Sequence, residues 1–444
     1  MSTTPLIQGE RGLTIPSTAV FIAGEIAGTG ILALPRAVED TGWVGLMLII
    51  LCAILSAYTG IILGEAWTIA AEVFEDCKGH VQNPYQILGE KTYGKAGRYT
   101  VSVCLHITMF GGAVVFLLLA AENMETLVKD LGHDISFCFW LLIIAGVLVP
   151  FTWFGTPKDF WLIAYGATIA TASAAVIIVV SVGLDASNHT STEHEKVEFK
   201  KIALALGTIV FALGGHPAFP TFQMDMKRQK DFKKAVCFGF IIVSLLYLPV
   251  TTAGYLVYGK DLDANILTNL PSGGLANAVL LLVTIHLLLA IVIVISPVIQ
   301  EVEMVLHVPR GFTWKRCVTR LLVVACVLFV AETVPKFNSL LSLIGGSSLT
   351  MLDFVCPILF HMKMHRLKAE ADKPAVVNKS LEAVQASWDE PSDQIPLWRK
   401  VLNYEILIIG VLAGVAASVS AIINIVSPDS FSMPCYVNIS RAAT

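Results

Sequence analysis

Long uncharged runs alternate with short charged ones along the chain. Stretches without Asp, Glu, Lys or Arg last 21 residues at 44–64, 21 at 101–121, 20 at 135–154, 25 at 160–184, 23 at 202–224 and 25 at 235–259. A helix rises ~1.5 Å per residue, so about 20 residues cross a ~30 Å hydrocarbon layer. The pattern predicts eleven spans, at 16–38, 44–64, 99–126, 135–154, 160–184, 201–224, 235–258, 275–302, 317–334, 337–360 and 405–427. The ninth has an uncharged core of only 11 residues, 321–331, and spans if Arg320 snorkels to one interface while Glu332 sits at the other.

Composition agrees. Of 444 residues 55% are hydrophobic and 14% charged, against about 45–50% and 25% in an ordinary soluble domain. The chain is a polytopic membrane protein whose first partner is the lipid bilayer. The net charge of −4 implies no nucleic acid. The first 17 residues hold one basic residue, Arg11, and no apolar run before a small-residue cleavage site, so the first span is expected to act as its own insertion signal.

With a cytosolic amino terminus, 22 Lys and Arg fall on inner segments and seven on outer ones, leaving Arg36 at the end of the first span. That split is a positive-inside pattern. Asn188 and Asn438 head Asn-X-Ser/Thr tripeptides on the extracytosolic side and are expected to be glycosylated, whereas Asn378 falls on the cytosolic side. Cys138 and Cys435 are the two of nine cysteines left for an oxidising side, so no disulfide framework is indicated. The inner segment from His361 to Lys400, with Pro374, Pro391 and Pro396, reads as a flexible linker.

Two spans are interrupted. The first reads Gly24-Glu25-Ile26-Ala27-Gly28-Thr29-Gly30 and on to Pro35; the sixth reads Phe211-Ala212-Leu213-Gly214-Gly215-His216-Pro217-Ala218-Phe219-Pro220. Glycine and proline weaken a helical ladder and free backbone groups at membrane depth. Such groups are tolerated only where protein buries them or a water-filled cavity meets them. With five spans per unit, the breaks occupy equivalent places of an inverted repeat, a pointer to a midplane binding site. The plainer alternative is a small-residue packing face and ordinary proline kinks.

These two motifs, with Asn265-Ile266-Leu267 after Tyr258-Gly259 and with Pro335-Lys336-Phe337 leading to Gly345-Gly346-Ser347, resemble the amino acid/auxin permease family over nearly the whole chain. The resemblance implies an all-α, LeuT-like 5+5 inverted repeat with broken helices 1 and 6 and an eleventh helix. It implies amino acid transport, usually driven by protons, without a cofactor, in an endolysosomal or vacuolar membrane or the plasma membrane. The organisation is then a cytosolic tail at 1–15, five-helix repeats at 16–184 and 201–360, a cytosolic linker at 361–404, the eleventh helix at 405–427 and an extracytosolic tail at 428–444. Carried onto this chain, the amides of Gly28, Thr29 and Gly30 face the substrate carboxylate, and carbonyls freed from Phe211 to Gly214, with Gly215 beside them, meet the ammonium. Animal proton-coupled members often carry a histidine just before the first motif; this chain has Phe21 near that place.

If transport needs a protonatable group, another residue must supply it. Glu25 leads, about ten residues and roughly 15 Å inside the first span, where a lasting charge is expensive. His216, in the second break, and Asp353, eight residues before His361, follow. His106 and His286 are lone histidines on apolar spans and are expected to be packed. Thr284 and Ser296 on the eighth span are not adjacent, which favours protons over the sodium sites that LeuT-like folds build from neighbouring hydroxyls there. An amino-acid-sensing receptor would use the same broken helices without moving its ligand. An enzyme finds no support, since no set of nucleophile and base, metal cluster or phosphate loop is visible.

Overall fold

The computed structural model describes residues 12–153, 160–189, 192–309, 311–372, 395–427 and 434–437. Asn378 and Asn438 lie outside them. Among the described residues every regular element is a helix, apart from one isolated bridge between Leu13 and Met226.

α1 (Ile15–Ile26) starts where Thr14 and Ser17 cap each other, with proline in the first turn. α2 (Gly30–Thr41) follows at a bend of 62°. α3 (Val44–Val73) crosses next. α4 (Pro84–Asp130) is longer than the third uncharged run because a leading arm folds back on the span at Gly94, whose φ of 63° suits glycine. α5 (Phe137–Trp153) and α6 (Phe160–Asp185) complete the first five spans.

α7 (Phe199–Leu213) and α8 (Phe219–Met224) make up the broken sixth span, followed by α9 (Phe232–Tyr258), α10 (Gly274–Val305) and α11 (Trp314–Thr333). The tenth span starts as α12 (Phe337–Ile344), widens into π turns at Gly345–Leu349 and Met351–Val355, and ends as α13 (Cys356–Ala371). α14 (Leu397–Val426) is the eleventh. Among the described residues eight helices are long and apolar enough to cross a bilayer, the α1–α2 pair is a ninth, and α5 is a shorter apolar helix.

Equivalent spans of the two halves pack on one another. The first meets the sixth through α2 and α7, the second meets the seventh through α3 and α9, the third meets the eighth through α4 and α10, and the fourth meets the ninth through α5 and α11. Such pairing is what two inverted repeats around one axis produce.

Three expectations need correction. Arg320 does not snorkel: it is buried, with Nε 2.6 Å from Glu303 Oε1 and a further hydrogen bond to the Thr152 carbonyl. An ion pair between α10 and α11 neutralises the charge that shortened the ninth uncharged run. Cys138 and Cys435 are bonded to each other. They are 297 residues apart, a separation at which sequence spacing carries no pairing signal. Finally, the expected linker begins and ends as helix, in α13 up to Ala371 and in α14 from Leu397; its residues 373–394 lie outside the described ones.

Candidate functional site

The first break spans three residues between α1 and α2. The Gly28 amide donates to the Ile26 carbonyl at 2.7 Å, while the amides of Thr29, Gly30 and Ile31 have no backbone acceptor among the described residues. These are the orphan donors of a helix start. The two glycines differ. A Cβ on Gly28 would meet nothing within 4 Å, whereas one on Gly30 would lie 2.4 Å from the Ala212 Cα. Gly30 is therefore where α2 and α7 touch by backbone, and Gly28 faces free space. That space is a small cleft between the first, fifth and eighth spans, whose lining includes Gly28, Thr29, Leu32, Thr171, Val283 and His286. The Thr29 hydroxyl is buried without a partner. His286, expected to be packed, helps to line the cleft, whereas the His106 ring bonds its own helix at the Ser102 carbonyl, 2.6 Å away.

The second break starts at Gly214, where ψ turns to 135°. Pro217 and Pro220, which lack amide hydrogens, open the short turn His216–Ala218 and α8. The Phe211 carbonyl accepts from the Gly214 amide at 3.2 Å. A Cβ on Gly215 would come within 2.7 Å of Ile26, and one on Gly214 within 3.1 Å of Asp353 Oδ2. The breaks are thus in contact. Tyr247, wholly buried on α9, places its hydroxyl 2.7 Å from the Ile26 carbonyl and 2.8 Å from that of Ala212. One phenol joins a freed carbonyl of each break.

Titratable side chains gather behind the second break. His216 and Asp353 are both fully buried, with Nδ1 and Oδ1 3.2 Å apart. His216 Nε2 lies 3.1 Å from the Ser56 carbonyl and 2.9 Å from the Thr59 hydroxyl, which itself donates to α3 carbonyls. A carbonyl only accepts, so Nε2 carries the hydrogen. In a neutral imidazole Nδ1 is then a lone pair facing a carboxylate. Two acceptors at that distance repel unless a proton lies on one of them, and neither His216 Nδ1 nor either Asp353 oxygen has a well-aligned hydrogen-bond partner.

Glu25 is separate. It sits on the last turn of α1, is reached by solvent although protein surrounds it closely, and forms no hydrogen bond or ion pair with a described residue. A glutamate kept only to brace a neighbouring helix would have a partner. Thr284 is buried with an unpartnered hydroxyl, and the Ser296 hydroxyl accepts from Gln300 at 3.0 Å. Asn188 is exposed just beyond α6, with its amide on Asp185.

Sequence reasoning missed Tyr247, Thr59 and the π turns. Hydroxyls inside apolar runs are common, and a π turn leaves no residue signature. Gly345-Gly346-Ser347 was the nearest hint, since it opens the first π turn.

The chain is similar to several plant proteins. It is 24% identical over 352 residues to "Amino acid transporter AVT1J" of Arabidopsis thaliana, covering 76% of this chain and 80% of that one. It is 27% identical over 376 residues to "Amino acid transporter AVT3A" of the same plant, covering 81% and 84%. "Amino acid transporter AVT1C" is 26% identical over 338 residues, but only 59% of its length is covered. Among solved structures, MhsT in complex with L-phenylalanine superimposes with a TM-score of 0.50 at 14% identity, covering 93% of this chain and 99% of that one. That likeness shows the fold, the LeuT-like inverted repeat with broken helices 1 and 6. The family described as "Transmembrane amino acid transporter protein" matches residues 11–384, and the chain belongs to it.

Proposed function

We propose that this protein is a secondary active, proton-coupled amino acid transporter that works by alternating access around the two breaks. The buried His216–Asp353 pair carries the reading: its geometry accommodates one proton, and it adjoins the break on which substrate would close. The α-carboxylate would sit at the orphan amides of Thr29 and Gly30, beside Gly28, where the positive end of α2 favours an anion. The ammonium would meet carbonyls from Phe211 to Gly215. Asp353 touches Gly214, and Gly215 touches Ile26, so a proton gained or lost by the pair alters how the second break seats on the first. Glu25, open to water at the end of α1, would pass protons between the solvent and this buried pair.

An oxidising outer side supports the cytosolic amino terminus. The Cys138–Cys435 bond joins the start of α5 to the segment beyond α14, both outer in this orientation, while Cys77, in a turn after α3, and Cys317, in the first turn of α11, fall on the inner side and are free. In a glycosylating host, glycan on Asn188 or Asn438 and none on Asn378 is the matching readout.

Counterflow of a labelled amino acid panel into proteoliposomes, with and without a pH gradient, tests the function. Accumulation that follows the imposed gradient is expected. Saturable binding without uptake would instead indicate a sensor, and accumulation driven by sodium alone would remove proton coupling.

A further inference from the structure

A second cluster lies away from the breaks, where the second, tenth and eleventh spans end together. His361 and His365 are one helical turn apart on α13, and therefore on one face of it. Their rings meet edge to face with centroids 4.6 Å apart. Glu65 of α3 completes the group: its Oε2 is 3.1 Å from His361 Nε2, and one ligand atom from each of the three residues lies within 4.8 Å of the others. His361 is fully buried, and its Nδ1 has no hydrogen-bond partner. Arg399, at the start of α14, reaches the same Glu65 oxygen at 2.9 Å.

We propose that Glu65, His361 and His365 form a binding site for a divalent transition metal ion of the zinc class. Two imidazoles and a carboxylate with a water in the fourth position are a donor set such ions accept. Tetrahedral bonds of ~2.0–2.2 Å place ligand atoms about 3.4 Å apart, so small side-chain rotations close the observed cluster onto an ion. The half-exposed Glu65 and His365 leave an entry path, and the buried His361 supplies an anchor. The ion and the Arg399 guanidinium compete for one carboxylate. Binding would loosen α14 from α3 and fasten α13 to α3 instead, a regulatory grip on the tenth span, which carries Asp353.

The test uses the full-length protein in detergent or nanodiscs, titrated with Zn2+ and, for spectroscopy, with Co2+. One Zn2+ per chain is expected. Binding should weaken at least tenfold in the conservative His365→Gln, given that losing even an outer-shell partner of a metal site costs ~10–100-fold. It should weaken similarly in Glu65→Gln. Arg399→Gln should bind more tightly than the parent, because the competing cation is gone; a site elsewhere on the chain would not respond. The Co2+ complex should show the ligand-field bands of a tetrahedral nitrogen and oxygen site. Equal affinity in the parent and His365→Gln, no bound Zn2+, or a thiolate charge-transfer band assigning the ion to a free cysteine would each overturn the proposal. Unchanged melting temperatures without metal show that the variants are folded.

Discussion

Gly28 and Gly30 are two residues apart in one motif, yet they carry different constraints. Gly28→Val adds bulk in free space beside the orphan amides; the variant is expected to fold and insert, with the substrate KM raised at least tenfold or transport lost. Gly30→Val forces a side chain into the Ala212 backbone, beyond the ~1–3 kcal/mol of ordinary overpacking, and is expected to fail in assembly. Size-exclusion profiles with counterflow on the same preparations separate the two, and a normal KM in folded Gly28→Val removes the carboxylate assignment. The polar intruders Glu25, His216 and Asp353 were legible because a charge within an apolar run needs a reason. Their grouping was not, since His216 and Asp353 are joined only when the turn His216–Ala218 folds against the second π turn. The pairing changes the expected variant. Asp353→Asn cannot take up a proton, so it should lose pH-driven accumulation while still exchanging labelled for unlabelled substrate. If Asp353→Asn still accumulates substrate and Glu25→Gln does not, the obligate proton belongs to Glu25.

At the scale of elements, the breaks were readable because glycine and proline announce a weakened ladder, and equivalent places in two five-span units gave the repeat. What joins the breaks was hidden. Tyr247 comes from α9, in the second repeat, and its hydroxyl serves the Ile26 and Ala212 carbonyls together. In Tyr247→Phe the Ile26 carbonyl keeps the Gly28 amide while the Ala212 carbonyl loses the phenol, and a buried acceptor that loses its partner costs about 1–3 kcal/mol. A lower melting temperature and a several-fold higher substrate KM are expected together, because the geometry of both breaks relaxes. A variant unchanged in both measurements would show that the phenol only fills space. The helix expected as the ninth span, α11, teaches the complementary lesson: Arg320, expected to snorkel, meets Glu303 of α10 instead, a long-range partner that no local pattern encodes.

For the whole molecule, the outer and inner ends differ. On the side that the proposed orientation makes outer, the segment 192–198 lies across the ends of α2 and α9. Glu195 binds Arg36 Nη2 at 3.1 Å and also Lys201, His194 binds the buried Glu39 at 2.8 Å, and Arg36 reaches the Leu262 carbonyl at 2.9 Å. In the proposed orientation these contacts latch the segment to the outer end of α2. The latch has a definite acid limit. The Glu195 carboxyl is held below its ordinary value of 4.5 by the hydrogen bond from Lys201 and then by the Arg36 charge. A carboxyl whose native pKa is lowered contributes its full stability above its unfolded value and loses it only as the pH falls through the native one. The Glu195 contacts therefore persist on acidification from neutrality to about pH 5, so this carboxyl is not the group whose protonation would release the segment. Hydrogen exchange of the amides in 192–198, corrected for intrinsic rates, should show unchanged protection between pH 7 and pH 5 in the parent. In Glu195→Gln protection should be reduced throughout that range. Release of the parent segment within the same range would mean that the latch itself senses pH.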